Sequence, residues 1–176
     1  YNQRIKNRIL NSGNVGRNNI KSKIGHFFSK NFNSSTYYYK LRTMCNDLSY
    51  VDYSGIVNNQ YTNQDYPEYL SRYCTAIAAG TFSPAGKYFE IPAAGCMSFM
   101  EVTPKNHAKY LGFKNNETAI FIDEKNYKNK FEEYLSDSDN KRWSEIAKAG
   151  REYALNELNN DKAVESLIQL MKEFIK

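Results

Sequence analysis

The chain has 176 residues, 41% hydrophobic and 24% charged, with a formal net charge of +5. That is enough chain for one soluble domain with a real core. No run approaches the roughly 18 consecutive apolar residues of a membrane span, no secretory leader is visible, and three cysteines without paired spacing argue against a disulfide framework. The charge is uneven: nine Lys and Arg residues, from Arg4 to Arg42, precede the first acidic residue, Asp47. Clustered positive charge favours an anionic partner such as a diphosphate, a nucleic acid or a membrane surface. The chain opens abruptly on Tyr1 and this basic segment, which reads as a domain cut from a longer protein.

Arg8-Ile-Leu-Asn-Ser12 is a first strand, ending in the loop Gly13-Asn-Val-Gly16. Apolar residues at Ile20, Ile24, Phe27 and Phe28 have the spacing of an amphipathic helix over 20–31. Asn33-Ser-Ser-Thr36 breaks it and caps a second helix running to about Leu48. Tyr50-Val-Asp-Tyr53 is a second strand closed by Ser54-Gly55, and 56–64 is polar loop. Tyr66-Pro67 opens a short helix to about Arg72.

Tyr73 to Ala79 is apolar and short enough for a buried strand. The loop Gly80–Gly86 follows, then a helix from about Lys87, then a strand at Cys96–Met100. Pro92 fits that helix only near its first turn, so Ser83-Pro84-Ala85-Gly86 reads as loop. Thr103-Pro104 has the chemistry of a helix start, a capping hydroxyl before proline, with an end near Leu111-Gly112. Thr118–Ile122 is a last strand. Three helices close the chain, with apolar stripes through Tyr127, Phe131 and Tyr134, through Trp143, Ile146, Gly150 and Tyr153, and through Val164, Leu167, Ile168, Met171 and Phe174. Strands alternating with helices predict an α/β, Rossmann-like fold, a mainly parallel sheet with helices on both faces, over a single domain spanning 1–176. Ligands of such sheets sit beyond the carboxyl ends of the strands.

Several residues there suit an anionic ligand. Ser83 and the main-chain N–H groups of the 83–87 loop suit a diphosphate, and Gly86 allows close approach of backbone to ligand. Lys87 adds a positive charge beside them. After the first strand, Ser12, Gly13 and Arg17 form a second group, with the Arg17 guanidinium suited to a bidentate grip on phosphate. His26 and His107 have no Cys or carboxylate partners at metal-ligand spacing and read as structural or surface residues. Cys74 and Cys96 read as small apolar filler.

The segment Lys87-Tyr-Phe-Glu-Ile-Pro-Ala-Ala-Gly-Cys96 is similar to the Lys/Arg-Tyr-x-Glu-x-Pro-Ala-x-Gly-Cys signature of the spore-coat-type glycosyltransferases of GT-B fold, a group 1-like family. Ser12-Gly13, Asn116–Asp123 and Asp137–Tyr153 resemble the same family's first loop, last strand and penultimate helix. The resemblance covers the C-terminal, donor-binding half of such an enzyme. It implies a metal-independent transferase whose Glu90 holds the ribose of a nucleoside-diphosphate sugar, with no cofactor. It further implies an acceptor held by an N-terminal domain of the same protein and little activity in this segment alone; the sparse, unpaired cysteines argue for a reducing, cytoplasmic compartment. Related retaining enzymes carry a glutamate facing the sugar eight residues before Glu90, where this chain has Phe82. Two other readings are open: a non-catalytic Rossmann-like scaffold, and a nucleic-acid module built on the basic first 46 residues, for which no known nucleic-acid signature is present.

Overall fold

The structure is a computed structural model that describes residues 4–16, 35–54 and 65–174. The predicted helix at 20–31, Arg17, His26 and the 56–64 loop lie outside them. Five short strands are present: β1 (Ile9–Ser12), β2 (Val51–Ser54), β3 (Thr75–Ala78), β4 (Met97–Glu101) and β5 (Ile120–Ile122). They form one parallel sheet in the order β2-β1-β3-β4-β5. Between them run α1 (Ser35–Tyr38), α2 (Lys40–Cys45), α3 (Tyr66–Ser71) and α4 (Lys87–Ala93). After β5 come α5 (Tyr127–Ser136), α6 (Lys141–Glu157) and α7 (Asn160–Phe174). The α/β, Rossmann-like architecture read from the sequence is the architecture observed.

Side chains alternate across the sheet with the period of two that a strand imposes. Ile9, Ile77 and Phe99 face one side, where Leu41, Phe131, Tyr134, Trp143 and Ile146 cover them. Leu10, Ala76, Ala78 and Met100 face the other, under Leu70, Tyr88, Ile91 and Ala154. Both faces are therefore dry, which is why these strands read as continuous apolar runs rather than alternating ones. Helix α6 crosses so closely that a Cβ at Gly150 would stand 2.3 Å from the Thr118 carbonyl oxygen. Only glycine fits there.

Pro92 lies in the second turn of α4, further in than the sequence suggested. The helix stops soon afterwards. Gly95, at φ +78, donates its N–H to the Pro92 carbonyl, and the Cys96 N–H reaches back to Ile91. This left-handed glycine cap satisfies the last carbonyls and turns the chain into β4.

Thr103-Pro104 does not start an α-helix. The Thr103 hydroxyl accepts from the Asn106 N–H, and Asn106 Oδ1 accepts from the N–H groups of Thr103 and Ala108. The capping chemistry is spent on a closed turn, followed by a 3₁₀ turn at Ala108–Leu111. His107, expected within a helix, is instead a left-handed residue at φ 57, exposed and stacked on Tyr110. The buried Asn106 Nδ2 donates to the carbonyls of Gly80 and Glu101, at 3.0 and 2.8 Å, and to the Tyr88 hydroxyl at 3.2 Å. One amide thus ties the loop after β3, helix α4 and the end of β4 together.

The stripe on α7 forms as expected, yet Val164, Leu167, Ile168, Leu170, Met171 and Phe174 are all exposed, Phe174 at 83%. Among the described residues no helix is long and apolar enough to cross a membrane. The Asn106 amide generates a first prediction. Asn106→Ala takes the side-chain donor from the buried Gly80 carbonyl, leaves the Glu101 carbonyl to the Tyr88 hydroxyl alone, and lowers unfolding stability by about 1–3 kcal/mol in urea titration. An unchanged midpoint would mean that the three elements are held by packing alone.

Candidate functional site

The strand order reverses direction between β1 and β3, and ligands of open parallel sheets bind in the crevice at such a switch point. β1 ends there on Asn11 and Ser12, both buried. Gly13 follows at φ +94, a left-handed conformation that glycine adopts without strain, with its N–H on the Ser54 carbonyl at 2.9 Å. A Cβ on Gly13 would stand 2.8 Å from Lys87 Cε and 2.9 Å from an Arg42 Nη. Two cationic side chains therefore converge on the first residue after β1.

Arg42 comes from α2 and is only 3% exposed. Its guanidinium donates to the Ser12 carbonyl oxygen and, more weakly, to Asn11 Oδ1 at 3.3 Å. Asn11 Nδ2 returns a bond to the Arg42 carbonyl at 3.0 Å. The guanidinium also lies over the Tyr39 ring, 5.2 Å from its centre. Burial pulls its pKa below the usual arginine range. Among the described residues no carboxylate lies within ion-pair distance of it. A buried charge without a counter-ion is costly, so this one requires balance from elsewhere.

Lys87 enters from the first turn of α4. Its ammonium donates to Tyr66 Oη at 2.9 Å and to Ser12 Oγ at 3.1 Å, and sits 5.1 Å from the Tyr66 ring centre. Those two hydroxyls also bond each other at 2.7 Å. Burial lowers the Lys87 pKa to about 8, and the field of Arg42 pushes the same way, while Glu90 opposes both. Glu90 is exposed one helical turn on, its carboxylate folded over Gly86, where a Cβ would meet Oε1 at 2.8 Å.

Ser12, Gly13, Gly86, Lys87 and Glu90 are thus brought to one place. Ser83 is exposed on the loop and makes no side-chain contact with that cluster. The N–H groups of Tyr88, Phe89 and Glu90 are already bonded to Ala85 and Gly86, so the bed of free amides expected at the start of α4 is smaller than its sequence suggested. Arg42 and Tyr66 were not anticipated. Arg42 sits in a basic stretch where nothing in the spacing sets it apart from its neighbours.

Phe82 packs in an aromatic group with Tyr37 and Tyr38, at ring distances of 4.6 and 5.7 Å. The Lys105 ammonium lies 4.6 Å from the Phe82 ring centre. Beside it, at the end of β4, Glu101 is 3% exposed, and its Oε2 has no hydrogen-bond partner. Burial drives this carboxyl from 4.5 to about 7, against the opposing pull of the Gly80 main chain. The folded state then holds a proton that the unfolded chain releases, and stability falls as pH rises from about 4.5 to about 7. Glu101→Gln flattens that fall, which denaturant midpoints across this range would measure; an identical slope in the variant would place the titration on another group.

Three measures of identity now meet: a parallel sheet in doubly wound order, two cations at its switch point, and the Lys87–Cys96 segment opening the helix beside them. No curated protein matches the chain. The model of a family described as glycosyl transferase-like matches residues 26–169, most of the chain. The chain belongs to the glycosyl transferase-like family.

Proposed function

We propose that this domain holds the nucleoside-diphosphate sugar donor of a glycosyl transfer. The observation that carries the reading is the pair at the switch point, buried Arg42 beside half-buried Lys87, neither in an ion pair with a described carboxylate. A diphosphate supplies the missing negative charge, and charge-assisted bonds to phosphate oxygens are among the strong ones. Ser12 and Tyr66 hold the Lys87 ammonium in position through its own protons. As the sugar departs, negative charge grows on the diphosphate, and cations already in place stabilise it without rearrangement. In this reading the two side chains neutralise the leaving group and no metal is needed. Lys87 is the residue closest to a catalytic role.

Glu90, exposed beside Lys87, accepts from the ribose hydroxyls. Gly13 and Gly86 keep the floor of the site open to the nucleotide, with Ser83 on the loop beside it and in reach only of a bound ligand. The acceptor and its general base belong to an N-terminal domain of the same protein, so this segment alone binds donor and turns over little. The bare apolar stripe of α7 supports such a missing surface, since solvent-exposed apolar area of that kind is normally covered. Three free thiols suit a reducing, cytoplasmic compartment. A scaffold would leave the two adjacent cations without a purpose.

Calorimetry with UDP, GDP and dTDP tests the site. Lys87→Met weakens the preferred nucleotide by about tenfold or more, the value of one charge-assisted bond. Glu90→Ala weakens it several-fold and spares inorganic pyrophosphate. For wild type, affinity falls as pH rises through about 8, because only protonated Lys87 attracts the diphosphate; Lys87→Met loses that dependence. Equal affinity in wild type and Lys87→Met would end the reading.

A further inference from the structure

A second cleft opens along the same edge of the sheet, beyond the Gly80–Gly86 loop from Lys87. It has a volume of about 360 Å³, in the range of small-molecule sites. Thr81, Glu101 and Lys105 line it from the ends of β3 and β4, Tyr37 from α1, and the Lys40–Glu124 ion pair from α2 and the end of β5. Its floor is the Glu101 carboxyl, whose Oε2 is shut off from bulk water and bonded to nothing in the protein. Buried acceptors are nearly always satisfied, so an orphan facing a cleft asks for a donor brought by a ligand.

The surroundings narrow the ligand. Lys40 and Glu124 neutralise each other at 2.5 Å. Lys105 is drawn over the Tyr37 and Phe82 rings, at 5.5 and 4.6 Å, and its charge is set against Glu101. Asp123 and Glu124 add to the negative field at Glu101. A phosphate would meet the Glu101 and Glu124 carboxylates in the cleft, within the added field of Asp123, so an anion is disfavoured. A neutral ring with hydroxyl donors on its rim and an apolar face meets complementary groups throughout: an acceptor below, aromatic carbon at the side, and charged rims able to share hydroxyls.

We propose that this cleft recognises a pyranose ring, with Glu101 accepting a ring hydroxyl and Tyr37, held by its packing on Phe82, flanking the ring's apolar face. Applied to the donor reading above, on which this application rests, Glu101 becomes the residue that selects the transferred sugar. The side chain acts on recognition of the sugar and leaves the nucleotide contacts to Arg42, Lys87 and Glu90. The Gly80–Gly86 loop joins the two halves, with Thr81 in the cleft and Lys87 at the diphosphate.

The test compares bare UDP, GDP and dTDP with their glucose, galactose, mannose and N-acetylglucosamine derivatives, and adds the free monosaccharides at high concentration, read by amide chemical shifts at Thr81, Glu101 and Thr103. Wild type should gain affinity from at least one sugar, and that free sugar should shift these amides. Glu101→Gln should remove about tenfold of the gain, the value of a bond to a charged acceptor, with bare nucleotide affinity within about twofold of wild type. Phe82→Leu serves as the second variant and should also erode the gain, so a poorly folded Glu101→Gln does not end the test. Nucleotide binding with no sugar gain, or with the same gain in both variants, overturns the cleft assignment and leaves the donor reading standing. Sugar shifts that vanish in Glu101→Gln while no nucleotide binds would uphold the cleft and overturn the donor reading. Silence from both ligands overturns both.

Discussion

Two positive side chains brought together at the end of one strand, one buried and one half-buried, are the constraint around which this domain is arranged. Arg42 is nearly inaccessible and faces a strand terminus instead of a carboxylate. Lys87 shares its protons with a hydroxyl pair. Each of these arrangements satisfies hydrogen bonds, while neither cation has an ion-pair partner among the described residues and only Glu90 partly offsets Lys87. Hydrogen bonds to neutral oxygens do not balance two cations in a medium of low dielectric. A fold that retains such a pair gives up stability to keep it, and the natural beneficiary is an anion that arrives later. This is the physical content behind the proposal that the crevice holds a nucleoside diphosphate.

The sheet explains why the cations meet. Arg42 lies after β1 in the chain and Lys87 after β3, yet β1 and β3 are neighbours because the chain reverses its direction of growth across the sheet there. Helices attached to the two strands leave on opposite faces, so their first turns splay apart and expose a gap at the carboxyl edge. Gly13 keeps that gap from being filled. Any side chain at that position would collide with both cations. On the far side of α4, Asn106 fixes the loop that leads into Lys87. The aromatic group around Phe82 and the carboxyl of Glu101 continue the same edge toward β5.

Much of this was legible in the residues. β1, β2, β3 and β4 were placed within a residue or two, because short β-rich apolar runs bounded by glycine and proline have few alternatives in an α/β chain. The Lys87–Cys96 segment marked the helix beside the site, and Ser12, Gly13 and Lys87 do converge. What was missed has physical reasons. Thr103-Pro104 carries helix-start chemistry, but the side chain of Asn106 captured the backbone groups first. Arg42 was one basic residue among nine, and its burial follows from α2 packing under β1, a long-range contact with no local pattern. Glu101 ends a buried strand, where the alternation that would have revealed its direction is erased by two dry faces.

The most direct measurement is the ionisation of Lys87 itself, followed by the nitrogen and carbon shifts of its side-chain ammonium in wild-type protein with and without a nucleoside diphosphate. A midpoint near 8 in the free protein, moving upward when the nucleotide is added, is what two uncompensated cations awaiting a diphosphate predict. A midpoint at the ordinary lysine value of 10.5, unmoved by any nucleotide, would contradict the account.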